Sequence, residues 1–85
     1  MTKGPVRLSR HAEVAARERE IERDWIERAI VAPDWEAADD GDPSLRRVYV
    51  AVPERGGRIL RVVYREDELG VFVVTVFLDR GARRP

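Results

Sequence analysis

The chain begins with helix-type spacing and ends with strand-type alternation. Ala12, Ala15 and Ala16 recur at i, i+3 and i+4, a stripe of small residues on one helical face. Ser9 stands just before them as an N-cap, and Arg17-Glu18-Arg19-Glu20 make the distal end polar. One helix running on to Ile30 fails a phase test. At about 100° per residue, Ile21 and Trp25 would lie opposite Ala12, Ala16, Ile26 and Ile30. A break near Arg19–Arg23 removes the conflict and predicts two helices, with a single bent helix as the alternative. Asp24-Trp25-Ile26-Glu27 reads as a capping-box-like start to the second helix. Trp25, Ile26, Ala29 and Ile30 are its expected buried face, and Pro33 its stop.

Period-2 patterns follow. Residues 46–52 place Val48, Val50 and Val52 on one face and Arg47, Tyr49 and Ala51 on the other. Residues 53–57, with two glycines, predict a hairpin connection. Residues 58–65 place Leu60, Val62 and Tyr64 on one face, with Ile59, Arg61, Val63 and Arg65 on the other. Residues 66–70 read as a second turn. Residues 71–78 are apolar on both faces, as in a central or doubly covered strand. Val6–Leu8 is a candidate short first strand, Trp35 an edge-strand or rim aromatic, and residues 36–44 a polar loop. Asp39-Asp40-Gly41-Asp42 faintly resembles a calcium loop, but the rest of the ligand pattern and the closing glutamate are missing. The expected fold is α+β: two N-terminal helices packed on a three- or four-stranded antiparallel sheet. It forms one domain over residues 1–85, with residues 1–5 and 80–85 flexible.

Size and composition narrow the function classes. At 85 residues the chain is one domain that buries roughly 60% of its unfolded surface, so its core is thin. With no cysteine and one histidine, neither a disulfide frame nor a zinc site is expected, and no metal or other cofactor is invoked. The first seven residues carry charge without an apolar segment, and no apolar stretch approaches the ~20 residues of a membrane span. The expected location is therefore the cytoplasm, with no membrane partner. Net charge is zero, yet residues 1–43 carry −4 and residues 44–85 carry +4. The strand-bearing half could thus offer cations to phosphates, although mixed solvated faces give the same count.

Four short stretches in order, Ser9-Arg10-His11-Ala12, Arg19-Glu20-Ile21, Val62-Val63-Tyr64 and Val73-Val74-Thr75-Val76, resemble the family catalogued as domain of unknown function 4258. The resemblance covers about residues 8–78. Glu20 replaces the glycine usual at the helix junction, which bears on whether the chain turns sharply there. The family is similar to the RelE/ParE and BrnT toxins, some of which cleave messenger RNA on the ribosome. That resemblance implies a RelE/BrnT-like fold, and as partners an antitoxin protein, RNA or the ribosome.

RNA cleavage by 2′-hydroxyl attack needs a proton acceptor, a proton donor and cations for the phosphate. His11 is the acid–base candidate, since histidine ordinarily titrates near neutral pH. Arg61 and Arg65, on one strand face, are the phosphate candidates. Arg47 and Tyr49 are candidate RNA contacts on that face, and Arg17, Arg19 and Arg80 are secondary ones. Together they describe an RNA-binding or RNA-cleaving module of toxin type, in the second case a metal-independent ribonuclease. The competing expectation is a non-catalytic module that binds a protein partner or itself as a homodimer, with His11 and the arginines serving structure.

Overall fold

The computed structural model describes residues 4–85. Strand β1 (Val6–Leu8) leads into helix α1 (Arg10–Glu18) and helix α2 (Arg23–Val31). Strands β2 (Trp35–Ala38), β3 (Arg46–Val52), β4 (Arg58–Asp67) and β5 (Gly70–Leu78) follow. The sheet order is β1-β5-β4-β3-β2. β1 runs parallel to β5, and every other pairing is antiparallel. The class is α+β as expected, but the sheet has five strands and is mixed. Two elements account for the difference. β1 pairs with a strand far along the chain, and β2 takes residues that read as loop.

Ser9 joins the layers. Its backbone N–H donates to the Val73 carbonyl at 2.9 Å, extending the β1–β5 ladder by one step. Its Oγ accepts from the Ala12 N–H at 3.0 Å, capping α1. The same hydroxyl donates to the Val74 carbonyl at 2.9 Å. Val74 is an extra residue in β5: Val63 pairs with Thr75 and Tyr64 with Val73, leaving Val74 bulged between them. Ala12, Ala15 and Ala16 then bury the face of α1 that lies on β5 and β1. With only a methyl at each position, the helix sits close to the strands.

The junction after α1 turns sharply. Glu20 has φ 54°, in the left-handed region that glycine favours. The Ile21 N–H donates to the Ala16 carbonyl at 2.8 Å, and the Glu20 N–H to the Arg17 carbonyl at 3.3 Å, a Schellman ending. Arg55, from the β3–β4 turn, donates to the carbonyls of Arg19 and Glu20 and places its charge at the negative end of the helix. Two separate helices result, with Glu20 taking the conformation of the missing glycine. α2 begins one residue before Asp24, with Glu22 as its N-cap and no side-chain cap bond. Glu27 pairs with Arg23 instead of closing a capping box.

α2 lays Trp25, Ile26, Ala29 and Ile30 on β3 and β4. Beneath the two helices lie Val48, Val50 and Val52 of β3, Leu60, Val62 and Tyr64 of β4, and Val71, Val73 and Val76 of β5. Arg23 donates to the Val6 carbonyl, tying α2 to the outer edge of β1. β4 extends to Asp67, so the second turn is tighter than the sequence suggests. It ends at Gly70 (φ 118°), where a Cβ would lie 2.6 Å from the Pro5 carbonyl oxygen. That same carbonyl accepts from the Val71 N–H at 2.9 Å, so only glycine fits this crossing. At the other end of the sheet, Arg84 approaches Asp34 at 3.6 Å. The first three residues lie outside the described residues.

Two substitutions are expected to move stability in opposite directions, read by urea unfolding midpoints. Ser9→Ala loses the cap and the bond to the bulge and is expected to cost about 2 kcal/mol. Glu20→Gly relieves the left-handed strain against glycine's larger entropy loss and is expected to gain about 0.5–1 kcal/mol.

Candidate functional site

Both helices cover one face of the sheet, and among the described residues the other face carries none. Strand register arranges this open face in rows. In the first row, Arg7 of β1 pairs with Phe72 of β5, and Phe72 with Arg65 of β4. The guanidinium carbons of Arg7 and Arg65 lie 5.3 Å and 4.6 Å from the Phe72 ring centroid. In the second row, Phe77 of β5, Arg61 of β4, Tyr49 of β3 and Trp35 of β2 pair in succession. Arg61 lies 4.4 Å from the Phe77 centroid, and Trp35 stacks on Tyr49 at 4.7 Å with planes 8° apart. Thr75, Val63, Arg47 and Ala37 fill the row between.

The bulge makes these rows. Phe72 and Phe77 are five residues apart, so a regular strand would turn them to opposite faces. The extra residue at Val74 brings both to the open side while Val71, Val73 and Val76 stay in the core. Cation–π contact then holds each guanidinium over an aromatic ring.

Carboxylates balance part of this charge. Arg7 meets Asp67 at 2.6 Å, Arg47 meets Asp39 at 2.9 Å, and Arg61 approaches Asp79 at 3.4 Å. The Arg7 and Arg61 Nε atoms are buried without an acceptor. Arg65 is exposed and, among the described residues, has no carboxylate within ion-pair reach. The hydrogen bond from Arg7 holds Asp67 below the ordinary aspartate range, and that from Arg47 does the same for Asp39. Away from this face, the Arg28 hydrogen bond lowers Glu54. The Ser44 hydroxyl lowers Asp42.

Of the residues singled out from the sequence, Arg47, Tyr49, Arg61 and Arg65 share the open face. Arg61 and Arg65 do not converge on one point. Val63 stands between them, their Cα atoms are about 13 Å apart by strand rise, and each guanidinium lies over a different ring. Arg80 follows β5 in an exposed turn. His11 is exposed in the first turn of α1, and Arg17 and Arg19 are exposed at that helix's far end. The sheet separates these three from the arginine rows. Sequence reasoning passed over Arg7, Phe72, Phe77 and Asp79 as site residues and read Trp35 only as an edge-strand or rim aromatic. The one clue to the phenylalanines was the slip in alternation within residues 71–78, hidden because nearly every position there is apolar.

The sequence model of the family described as domain of unknown function (DUF4258) matches residues 8–78. The chain belongs to this family. No curated protein and no solved structure matches it. The DUF4258 match begins one residue before Ser9 and ends with β5, so it takes in the Ser9 junction, the bulge and both phenylalanines. Arg7 and Asp79, which complete the rows in this DUF4258 domain, lie just outside it. Among the described residues no group of side chains is arranged to hold a metal ion, and no helix is long and apolar enough to cross a membrane.

The pH dependence of stability follows from the lowered carboxylates. A group with a lower pKa folded than unfolded adds stability above its unfolded value and loses it as pH falls through the folded one. Urea midpoints are therefore expected to hold from neutrality down to about pH 4 and to drop below that. Combining Arg7→Gln with Arg47→Gln is expected to make the acid drop shallower. An unchanged drop would contradict the assignment.

Proposed function

We propose that this domain binds single-stranded RNA on the helix-free face of its sheet. The observation that carries the reading is the pair of cross-strand rows in which guanidinium groups alternate with aromatic rings. Unpaired bases are recognised by stacking on aromatic side chains and arginine planes, while arginine also meets the phosphates. A broad sheet face suits splayed single strands better than the deep, narrow major groove of duplex RNA. Arg65 is the phosphate contact most open to solvent, and Arg47 and Arg61 add to it by exchanging their carboxylate partners. The sequence-based expectation that the family is similar to RelE/ParE and BrnT toxins favours RNA as the nucleic acid.

The reading stops at binding. A cleaving site needs its proton-transfer group beside the phosphate, and His11 stands in the opposite layer. Growth arrest of toxin type would then come from occupying RNA, not from cutting it. One observation favours a protein partner instead: Arg7, Arg47 and Arg61 already have carboxylates, and tryptophan, tyrosine and arginine also dominate protein hot spots. The exposed Arg65 ranks the RNA reading first.

Fluorescence anisotropy with short labelled oligoribonucleotides of mixed sequence tests this. Saturable binding that weakens with salt is expected. Arg65→Ala is expected to lower the salt slope by about 0.7, the share of one single-strand phosphate contact. Phe72→Ala is expected to cost about 1–3 kcal/mol of binding, with its fold checked by circular dichroism. His11→Ala is expected to leave affinity unchanged. Absent binding, or binding that depends on His11 and not on the open face, would overturn the proposal.

A further inference from the structure

Where the second row meets the chain after β5 there is a pocket of about 320 Å³, lined by Trp35, Tyr49, Arg61, Asp79 and the turn at Gly81–Arg83. That volume is at the small end of small-molecule sites, which run from about 300 to 1,000 Å³. We infer that this pocket receives the base of one unpaired nucleotide, read on its hydrogen-bonding edge by Arg61 and Asp79. The inference rests on the RNA-binding reading and narrows it to one subsite.

Three features select a base over other ligands. The first is Trp35, stacked on the buried Tyr49; the Arg84 guanidinium carbon lies 5.9 Å from its ring centroid, a position a planar ring can take over. The second is the Arg61–Asp79 pair itself. Its 3.4 Å separation is long for a charge-assisted hydrogen bond, so donor and acceptor keep capacity for a third group. Asp79 Oδ1 accepts from the Gly81 N–H at 2.9 Å, which fixes the carboxylate with Oδ2 towards Arg61. Arg61 Nε is buried without an acceptor, so the pair is incompletely satisfied. A donor beside an acceptor is the complement of a nucleobase edge, where donor and acceptor also alternate.

The third feature is charge. The Asp79 carboxylate repels a phosphate inside the pocket, and the Arg61 guanidinium repels an amine. A neutral planar group carrying both a donor and an acceptor meets neither penalty. Arg83 borders the pocket and, among the described residues, has no carboxylate within ion-pair reach. It is placed to meet the phosphate attached to the bound base.

Tryptophan emission reads occupancy, because Trp25 is buried at 4% exposure while Trp35 lines the pocket. Each nucleoside 5′-monophosphate is expected to quench emission saturably, and ribose 5-phosphate is expected to leave it unchanged. Asp79→Asn, which turns part of the acceptor into a donor, is expected to reorder affinity among the four bases. If that variant fails to fold by circular dichroism, Arg61→Gln makes the same test from the donor side. An oligoribonucleotide whose residues lack their bases is expected to bind at least about five-fold more weakly than its parent. Equal quenching by ribose 5-phosphate, or an unchanged base order in the folded variant, would overturn the subsite. If RNA binds while mononucleotides do not quench, the subsite falls and the open-face reading stands. If neither binds, both fall.

Discussion

Three hydrogen bonds at Ser9 decide which side of the sheet is covered. Its amide extends the ladder of β5, its hydroxyl caps α1, and the same hydroxyl holds the carbonyl of the bulged Val74. One residue therefore ends a strand, begins a helix and fixes an irregularity in a third element. The alanine stripe keeps α1 close to that strand, and the left-handed Glu20 returns the chain over the same face. The apolar sides of β3, β4 and β5 then have a cover, and their other sides have none. Among the described residues no further helix covers the open side.

The bulge serves both faces. It keeps three valines of β5 in the core and turns two phenylalanines outward under the arginines. Each cation–π contact at an exposed site is worth only ~0.5–1 kcal/mol. The partly open ion pairs nearby are screened by solvent and add little to folding. A surface assembled from such weak contacts can exchange them for a ligand at small cost. Aromatic rings and guanidinium planes stay in place, while carboxylate partners give way to phosphate or to a base edge.

Much of the fold was legible in particular residues. The phase conflict at Ile21 and Trp25 located the helix break, and Ser9 announced the first cap. Alternation in residues 46–52 and 58–65 gave β3 and β4 with the correct inner faces. Other features were hidden for physical reasons. Val6–Leu8 stood as a candidate strand, but its parallel partner lies more than sixty positions away, so only tertiary pairing places it in the sheet. β2 contains two alanines and a glutamate, weak strand formers that the register with β3 overrides. The site was half legible. Arg61, Arg65, Arg47 and Tyr49 shared a face by parity alone. Their partners Phe72, Phe77, Asp79 and Arg7 required the register, and His11 was separated from them by a layer order that no local pattern encodes.

The account turns on which face of the sheet meets RNA, and amide chemical-shift mapping measures that most directly. Backbone and indole resonances of the isotope-labelled domain would be followed as a short single-stranded oligoribonucleotide is added. The largest changes are predicted along the outward positions of β4 and β5 and at the Trp35 indole, with His11 and the exposed side of α1 unmoved. Changes centred on His11, Arg17 and Arg19, with the arginine rows unmoved, would contradict it.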